Sequence, residues 1–211
     1  MTGDGVNDIL ALKEADVSLA IGEGSDAARR AAKLVLLNSD FAAVPSIIAE
    51  GRRSINNLER SATLFLSKTI YASLLAVLFV ILPLEYPFSP IEMSLLNFLC
   101  IGLPGLALAL ENNTDRVKDQ FVKNIKRYSL PTGLAVATAA LILSIAASLL
   151  SLSRPELTAL SSLIVFVIGS ALIYRVSKPL NLFRASLLAF IILVFAVALL
   201  LPLARSLIFI P

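Results

Sequence analysis

The sequence has 211 residues, of which 57% are hydrophobic and 16% are charged, and its net charge is +3. Its mean hydropathy of +0.86 lies far above that of soluble proteins, so most of the chain is expected to lie in a lipid bilayer. The chain contains no histidine and one cysteine, which excludes histidine catalysis, histidine metal ligands and a disulfide framework within these residues. Its basic residues lie between hydrophobic stretches, so no nucleic-acid partner is expected.

A polar turn at residues 2–8 places two carboxylates and one carboxamide close together. Mg²⁺ binds beside phosphate on one or two carboxylates, which Asp4 and Asp8 can supply. Asn7 can donate amide hydrogens to a phosphoryl oxygen, and the glycines allow a sharp turn. The alternative is an ordinary Gly-Asp-Gly loop, but the helix predicted next favours a phosphate site. The residues assigned to this site are Gly3, Asp4, Gly5, Asn7 and Asp8.

The following residues predict alternating helices and strands. Residues 9–15 have helical apolar periodicity, and residues 17–21 predict a strand. Ser25 is a good N-cap for a short helix at 27–33, before a strand at 34–37. This alternation is typical of a parallel α/β sheet. About forty residues bury too little surface for a stable domain, so the remainder of this domain is expected to come from outside the chain.

The segment from Met1 to about Asn57 resembles the end of the phosphorylation domain of P-type cation-transporting ATPases. The resemblance rests on Met-Thr-Gly-Asp-Gly-Val-Asn-Asp, Lys-Glu-Ala-Asp-Val-Ser-Leu-Ala-Ile-Gly, Leu-Val-Leu-Leu and Glu-Gly-Arg-Arg-Ser-Ile-Asn-Asn. It implies a haloacid-dehalogenase-like fold for residues 1–40, with ATP and Mg²⁺ as cofactors. It makes Asp4 the Mg²⁺ ligand, Asp8 a ligand or its supporting residue, and Asn7 a phosphate-orienting residue.

Residues 41–61 predict a helix in which Pro45 is tolerable only because it lies near the start. In the family that the chain resembles, this segment is a stalk that continues into the membrane. A plain amphipathic linker is the alternative that periodicity leaves open.

Five hydrophobic stretches follow in residues 62–211, each near the ~20 residues that cross a bilayer as a helix. They are predicted at residues 62–83, 93–110, 130–152, 157–174 and 185–204. The expected fold is a mainly α-helical polytopic membrane protein with an incomplete N-terminal α/β fragment.

The connecting segments predict the orientation of the chain in the membrane. Lys and Arg residues are concentrated after the second and fourth spans, whereas residues 84–91 contain none. Excess positive charge marks the cytosolic side, so the N-terminal segment is expected in the cytosol, next to a bacterial-type plasma membrane. The basic residues of the two segments are Arg116, Lys118, Lys123, Lys126, Arg127, Arg175, Lys178 and Arg184.

Polar residues within the spans are candidates for a cation pathway, because such groups are costly in a bilayer. Lys68 either contributes to a cation site or extends its amine to the interface, and Thr69 offers a hydroxyl oxygen. In the second span, Asn97 offers a carbonyl, and the Gly102 to Pro104 region is expected to break the helix and free backbone carbonyls. A kink used only for packing is the alternative. Glu111 and Asn112 either face an ion access route or cap the helix, and capping is favoured.

The second span resembles the sixth span of calcium-type pumps, but Ile101 stands where that family has an aspartate. In the preceding span, Ala72 stands where the family has a carboxylate, and Thr69 where it has an asparagine. Asn97 is the one coordinating position that matches. The resemblance implies transport of a small cation, with calcium as the first expectation, and Lys68 is an additional charge that could replace a counter-transported proton.

Three functions remain open from the sequence. The chain is the C-terminal part of a P-type ATPase, a noncatalytic scaffold or regulator of an intact pump, or a membrane-anchored phosphatase. All three interpretations place it in contact with lipid, and the first also requires the missing N-terminal part of the pump. No Asp-Lys-Thr-Gly sequence occurs here, so the isolated chain is predicted to be inactive.

Overall fold

The computed structural model describes residues 1–117 and 120–200. These residues form two compact units, Met1–Gly51 and the part of the chain from Arg52 onward. The first unit is a small α/β structure, and the second consists of long helices.

The first unit contains a three-stranded parallel sheet in the order β1-β2-β3. Strand β1 is Thr2–Gly3, β2 is Leu19–Ile21 and β3 is Leu34–Leu36. Helix α1, Ile9–Glu14, connects the first two strands, and helix α2, Asp26–Ala31, connects the next two. The prediction of a small parallel α/β fragment is therefore confirmed.

Local interactions explain where these elements begin and how they pack. The Ser25 hydroxyl accepts a hydrogen bond from the Ala28 N–H at 3.2 Å, which confirms the predicted N-cap. Leu12, Ala20 and Ala28 are fully buried and bring both helices onto the sheet. Because the strands are parallel, the turn that follows β1 lies at the carboxyl edge of the sheet, where ligands bind in open α/β folds.

The second unit is built from long apolar helices. Five helical stretches among the described residues are long and apolar enough to cross a bilayer, which confirms the predicted polytopic fold. Helices α4 and α5 together form the second of these stretches. The helices are α3 (Val44–Ile81), α4 (Pro90–Asn97), α5 (Leu103–Leu110), α6 (Phe121–Leu150), α7 (Arg154–Val176) and α8 (Leu182–Leu200).

Helices α6 and α7 are longer than their sequences predicted. Lys123, Lys126 and Arg127 lie in the first two turns of α6 rather than in a loop. The helix has 30 residues, about ten more than a bilayer requires, so its polar first turns can extend beyond the apolar part. Helix α7 begins at Arg154, where the Ser153 N–H donates to Oε2 of Glu156 at 2.8 Å and caps the first turn. Lys118 and the predicted end of the fifth span, residues 201–204, lie outside the described residues.

The regular α-helix of the second span is interrupted next to Gly102, as expected, but by a wider helical turn rather than by an open break. The five residues Phe98–Gly102 form a π-helical turn between α4 and α5, in which the Leu103 N–H donates to the Phe98 carbonyl. The extra residue in this turn leaves room for the ring of Pro104. Gly102 and Leu103 keep helical backbone conformations, so the helix is continuous. The expected release of backbone carbonyls is therefore limited to this wider turn.

Replacing Gly133 with alanine is expected to lower the free energy of unfolding of the chain by about 1–3 kcal/mol. Helices α3 and α6 approach so closely here that a Cβ atom would lie 2.5 Å from Cγ2 of Ile70 and 3.1 Å from the Ser67 carbonyl oxygen. Denaturant unfolding of the purified chain in detergent measures the change. Gly51→Ala is the matched control, because no atom lies within 4 Å of the Cβ position there. Equal stability of the two variants would contradict the expected clash.

Candidate functional site

The predicted phosphate-binding turn lies between β1 and α1 and is folded by one carboxylate. Oδ2 of Asp8 accepts hydrogen bonds from the N–H groups of Asp4 and Gly5, each at 3.1 Å. The Asp8 N–H in turn donates to the Gly5 carbonyl at 3.2 Å. Oδ2 of Asp8 thus holds the shape of the turn, which fits the supporting role expected of this residue.

The two glycines of the turn differ in their structural roles. A Cβ atom at Gly3 would lie 2.6 Å from Cβ of Asp8 and 2.8 Å from its Oδ2, so the close approach of Asp8 requires glycine at this position. Gly5 has φ −101° and ψ 165°, an extended conformation that other residues adopt, and a Cβ atom there would meet no atom closer than 3.7 Å. Only Gly3 is therefore required by the geometry of the turn.

Asp4 combines a held backbone with an exposed side chain. Its carbonyl accepts a hydrogen bond from the Ser25 N–H at 2.8 Å, and the side chains of Asp4 and Asn7 are both exposed. One carboxylate on a fixed backbone suits Mg²⁺, which takes its remaining ligands from water and phosphate. Within residues 1–117 and 120–200, no group of three or more carboxylate or cysteine side chains could hold a metal by itself.

The polar residues predicted for a cation pathway are only partly brought together. The Tyr71 hydroxyl donates to Oδ1 of Asn97 at 3.3 Å and joins the first span to the second. Thr69 is exposed, and its hydroxyl donates to the Phe65 carbonyl of its own helix at 3.1 Å. Lys68 is half-buried one position before it. Of the predicted side chains, Asn97 is the one that a described hydrogen bond connects to another span.

A small cavity lies between the first four spans, next to the π-helical turn. It has room for a water-sized molecule, and its lining includes Ser67, Tyr71, Cys100, Thr132 and Gly169. The Ser67 hydroxyl donates to the Leu64 carbonyl at 2.7 Å. No carboxylate lines this cavity. It therefore offers no charged ligand for a bare divalent ion.

The densest cluster of charged groups lies where the second span ends. Oε2 of Glu111 accepts from Nη1 of Arg60 at 2.8 Å, and both Glu111 oxygens accept from Nε of Arg184 at 2.9 Å. Nδ2 of Asn181 also donates to Oε1 of Glu111 at 2.8 Å. The charged side chains are 5–11% exposed. We call these four residues the Glu111 clamp.

The clamp was not foreseen from the sequence. Glu111 does follow the last helical residue of α5, as its capping role required, but its carboxylate binds two arginines rather than the helix end. Arg60 was assigned to the stalk, and Arg184 to a basic loop. The sequence signal that could indicate this cluster is an acidic residue directly after a span, in a chain whose other segments on the same side of the membrane are basic.

Further hydrogen bonds join α3 to the end of the second span. Nδ2 of Asn57 donates to the carbonyls of Ala109 and Glu111 at 3.0 and 2.6 Å. The Ser61 hydroxyl donates to the Gly105 carbonyl at 2.9 Å. The bonds from Asn57 satisfy carbonyl groups at and just after the C-terminal end of α5, where helical partners are lacking. Nδ2 of Asn56 donates to the carbonyls of Asn113 and Asp115 at 3.3 and 2.8 Å, so both asparagines of the predicted stalk have a structural role at this junction.

Comparisons with known proteins show which family the chain belongs to. No protein-family model matches it. The chain is 38% identical, over 98% of its residues, to a Mycolicibacterium smegmatis protein named calcium-transporting ATPase CtpE. It is 39% identical, over 89% of its residues, to a Streptococcus pneumoniae protein named probable cation-transporting ATPase exp7.

This chain belongs to the P-type cation-transporting ATPases. The family resemblance of the sequence motifs is thereby confirmed, and an integral multi-pass membrane protein is supported by the relatives and the five apolar helices together. The chain spans 28% of the length of the Mycolicibacterium protein and 25% of the length of the Streptococcus protein.

In this P-type ATPase chain, Glu111 is expected to stabilise the fold down to acidic pH. Burial acts to raise its pKa, but hydrogen bonds from Arg184 and Asn181 and the charges of Arg184 and Arg60 hold the pKa below its usual range. Because the pKa of Glu111 is lower in the folded state, its ionised carboxylate adds to the free energy of unfolding at pH values above the unfolded pKa of about 4.3. This contribution is lost as the pH falls through the lower pKa of the folded state.

The difference in unfolding temperature between the wild type and Glu111→Gln is thus expected to be constant from neutral pH to about pH 5 and to shrink at lower pH. Thermal unfolding in detergent across this range measures it. A difference that vanishes near neutral pH would show that Glu111 is not held in its charged form.

Proposed function

We propose that this chain is the C-terminal part of an ATP-driven pump that moves a small cation, with calcium as the leading candidate, across a bacterial-type plasma membrane. The observation that carries the proposal is the turn at residues 3–8, where Asp4 has a held backbone and an exposed carboxylate. The printed names of the relatives, calcium-transporting and cation-transporting ATPases, support the same function. The phosphorylation domain would have a haloacid-dehalogenase-like fold and lie in the cytosol.

Each residue of the turn has a distinct proposed role. Asp4 would hold Mg²⁺ together with phosphate oxygens and water, and Asn7 would donate its amide hydrogens to a phosphoryl oxygen. Asp8 keeps the Asp4 and Gly5 N–H groups in place, and Gly3 leaves room for it. Bound Mg²⁺ would neutralise the charge that develops on the transferred phosphoryl group. The isolated chain is proposed to be inactive, because it contains no Asp-Lys-Thr-Gly sequence.

The proposed cation pathway passes between the first and second spans. Asn97 is held toward Tyr71, and the wider turn at Phe98–Gly102 changes the backbone next to it, just before Pro104. π-Helical turns inside α-helices are frequent at functional sites. Thr69 is exposed and its hydroxyl bonds within its own helix, so it is the weakest member of the proposed pathway.

Lys68→Ala in the complete pump is expected to change the charge moved per cycle by about one elementary charge, if the ammonium replaces a counter-ion through like-charge exclusion. Solid-supported membrane currents, divided by the number of ions transported, measure this quantity. Thr138→Ala is the control, because Thr138 is an exposed residue of α6 outside the proposed pathway and its hydroxyl bonds within its own helix. An unchanged charge per cycle in Lys68→Ala would rule out the counter-ion role.

The experiment that tests the proposed function starts from the complete reading frame that contains this chain. Its purified product is expected to hydrolyse ATP in a reaction that requires Mg²⁺ and is stimulated by calcium more than by manganese, sodium or potassium. Stimulation by another cation would replace calcium as the proposed transported ion, and the proposal of an ATP-driven pump would stand. A reading frame without Asp-Lys-Thr-Gly, whose product shows no hydrolysis under any of these cations, would favour a noncatalytic scaffold instead.

A further inference from the structure

The Glu111 clamp connects three parts of the chain that are far apart in the sequence. Arg60 belongs to α3, Glu111 follows α5, and Arg184 lies in the first turn of α8. Arg184 also donates through Nη1 to the carbonyls of Ser177 and Pro179, so it fixes the segment that leads into α8. The clamp therefore ties the first, second and fifth spans together at one end.

Glu111 has no remaining capacity to serve as an ion ligand in this arrangement. Its two oxygens accept hydrogen bonds from Arg60, Asn181 and Arg184, and its side chain is 9% exposed. Removing one partner from a buried ion pair leaves an uncompensated charge, so an intermediate, half-formed clamp is costly. The clamp consequently favours one relative position of its three helices over a continuous range of positions.

The third span lacks any comparable attachment. Within the described residues, no side-chain hydrogen bond or ion pair joins α6 to another helix, and its buried Ser129 and Ser144 hydroxyls have no partner. Helix α6 packs closely along α7 instead, without polar bonds between them. In the part of the chain that the structure describes, the polar contacts of the clamp thus join α3, α8 and the end of α5, while α6 contacts its neighbours through packing.

We propose that Glu111 is a positioning residue that makes the clamped ends of the first, second and fifth spans move as one body. The proposal rests on the proposed function and on the stalk role that the family resemblance gives to residues 41–61, most of which lie in the first part of α3. Movement of α3 would then also move α5 and α8. Asn97 and the π-helical turn, which directly precede α5, would move with it. Without the clamp, α3 could move while α5 stays behind, and ATP would be hydrolysed without transport.

The test measures cations transported per ATP hydrolysed by the complete pump in proteoliposomes. Glu111→Gln is expected to lower this ratio at least fivefold, whereas Glu111→Asp, which keeps the carboxylate, retains more than half of it. A ratio counts only active molecules, so a smaller folded fraction does not affect it. Arg154→Gln is the matched control, because Arg154 forms an exposed ion pair with Glu85 at 3.4 Å. An unchanged ratio in Glu111→Gln would overturn the proposal.

A triple variant separates coupling from stability. Arg60→Met with Glu111→Leu and Arg184→Met replaces the buried charges by apolar groups, which often restores stability. A positioning role predicts that this variant is folded yet keeps the low transport ratio. A folded triple variant with the wild-type ratio would show that the clamp only stabilises the fold.

A second measurement on the chain itself does not depend on transport. Spin labels on the exposed positions Leu58 and Leu182, in a Cys100→Ala background, report the distance between α3 and α8. Glu111→Gln is expected to widen the distance distribution at least twofold, and Arg154→Gln is expected to leave it unchanged. Equal widths would overturn the proposal even if the complete protein transports no cation, and that absence of transport would separately refute the proposed function.

Discussion

Replacement of Glu111 by glutamine is expected to lower the free energy of unfolding of the chain by about 3 kcal/mol or more. Glutamine fits the same space but removes the negative charge that contacts both buried guanidinium groups, those of Arg60 and Arg184. Each arginine has already lost most of its contact with water, so their repulsion is weakly screened. Denaturant unfolding in detergent, followed by circular dichroism, measures the loss.

The exposed pair Arg154–Glu85 is the internal standard for this prediction. Its side chains are 67% and 51% exposed, and such surface pairs contribute only about 0–1 kcal/mol. A loss in Glu111→Gln no larger than that in Arg154→Gln would mean that the clamp is hydrated and contributes little to stability.

Replacement of Asp4 by asparagine in the complete pump is expected to reduce formation of the Mg²⁺-dependent phosphoenzyme at least about 100-fold, because the metal-held charge on the phosphoryl group is worth several kcal/mol. Asparagine preserves the size of the side chain, and the backbone bonds from Asp8 and Ser25 do not involve the Asp4 carboxylate. The turn should therefore keep its fold while losing the metal. The amount of phosphoenzyme is measured as the radioactivity that remains bound to the protein in acid after incubation with ATP labelled at the γ-phosphate.

Asp16 supplies the control for this experiment. It is also an exposed aspartate of the first unit, and Lys33 contacts its backbone carbonyl rather than its carboxylate. Asp16→Asn is expected to leave phosphorylation near the wild-type level. Equal phosphorylation of the Asp4 and Asp16 variants would remove Asp4 from the proposed magnesium site.

Much of the fold could be predicted because its signals are local. The Ser25 cap, the strand at Leu34–Leu36 and the five apolar stretches each depend on residues that are neighbours in the chain. The start of α6 was missed because a hydropathy pattern locates the apolar part of a helix and not the polar turns that extend from it. The π-helical turn was mistaken for a break, since glycine and proline indicate either one.

The candidate sites were harder to predict where they depend on distant contacts. The turn at residues 3–8 is contiguous, so its composition indicated a phosphate site, but the hydrogen bonds that assign Asp8 to the loop are visible only in the structure. Arg60, Glu111 and Arg184 are separated by 51 and 73 positions, and no periodicity connects them. Their pairing follows from how the helices pack.

The most direct test of the central claim, that this chain forms part of an ATP-driven cation pump, is uptake of radioactive calcium by inverted membrane vesicles containing the complete reading-frame product. The account predicts ATP-dependent uptake by the wild type, loss of uptake in Asp4→Asn and none with the isolated chain. Calcium uptake that persists undiminished in Asp4→Asn, or wild-type vesicles that move no cation when ATP is supplied, would contradict it.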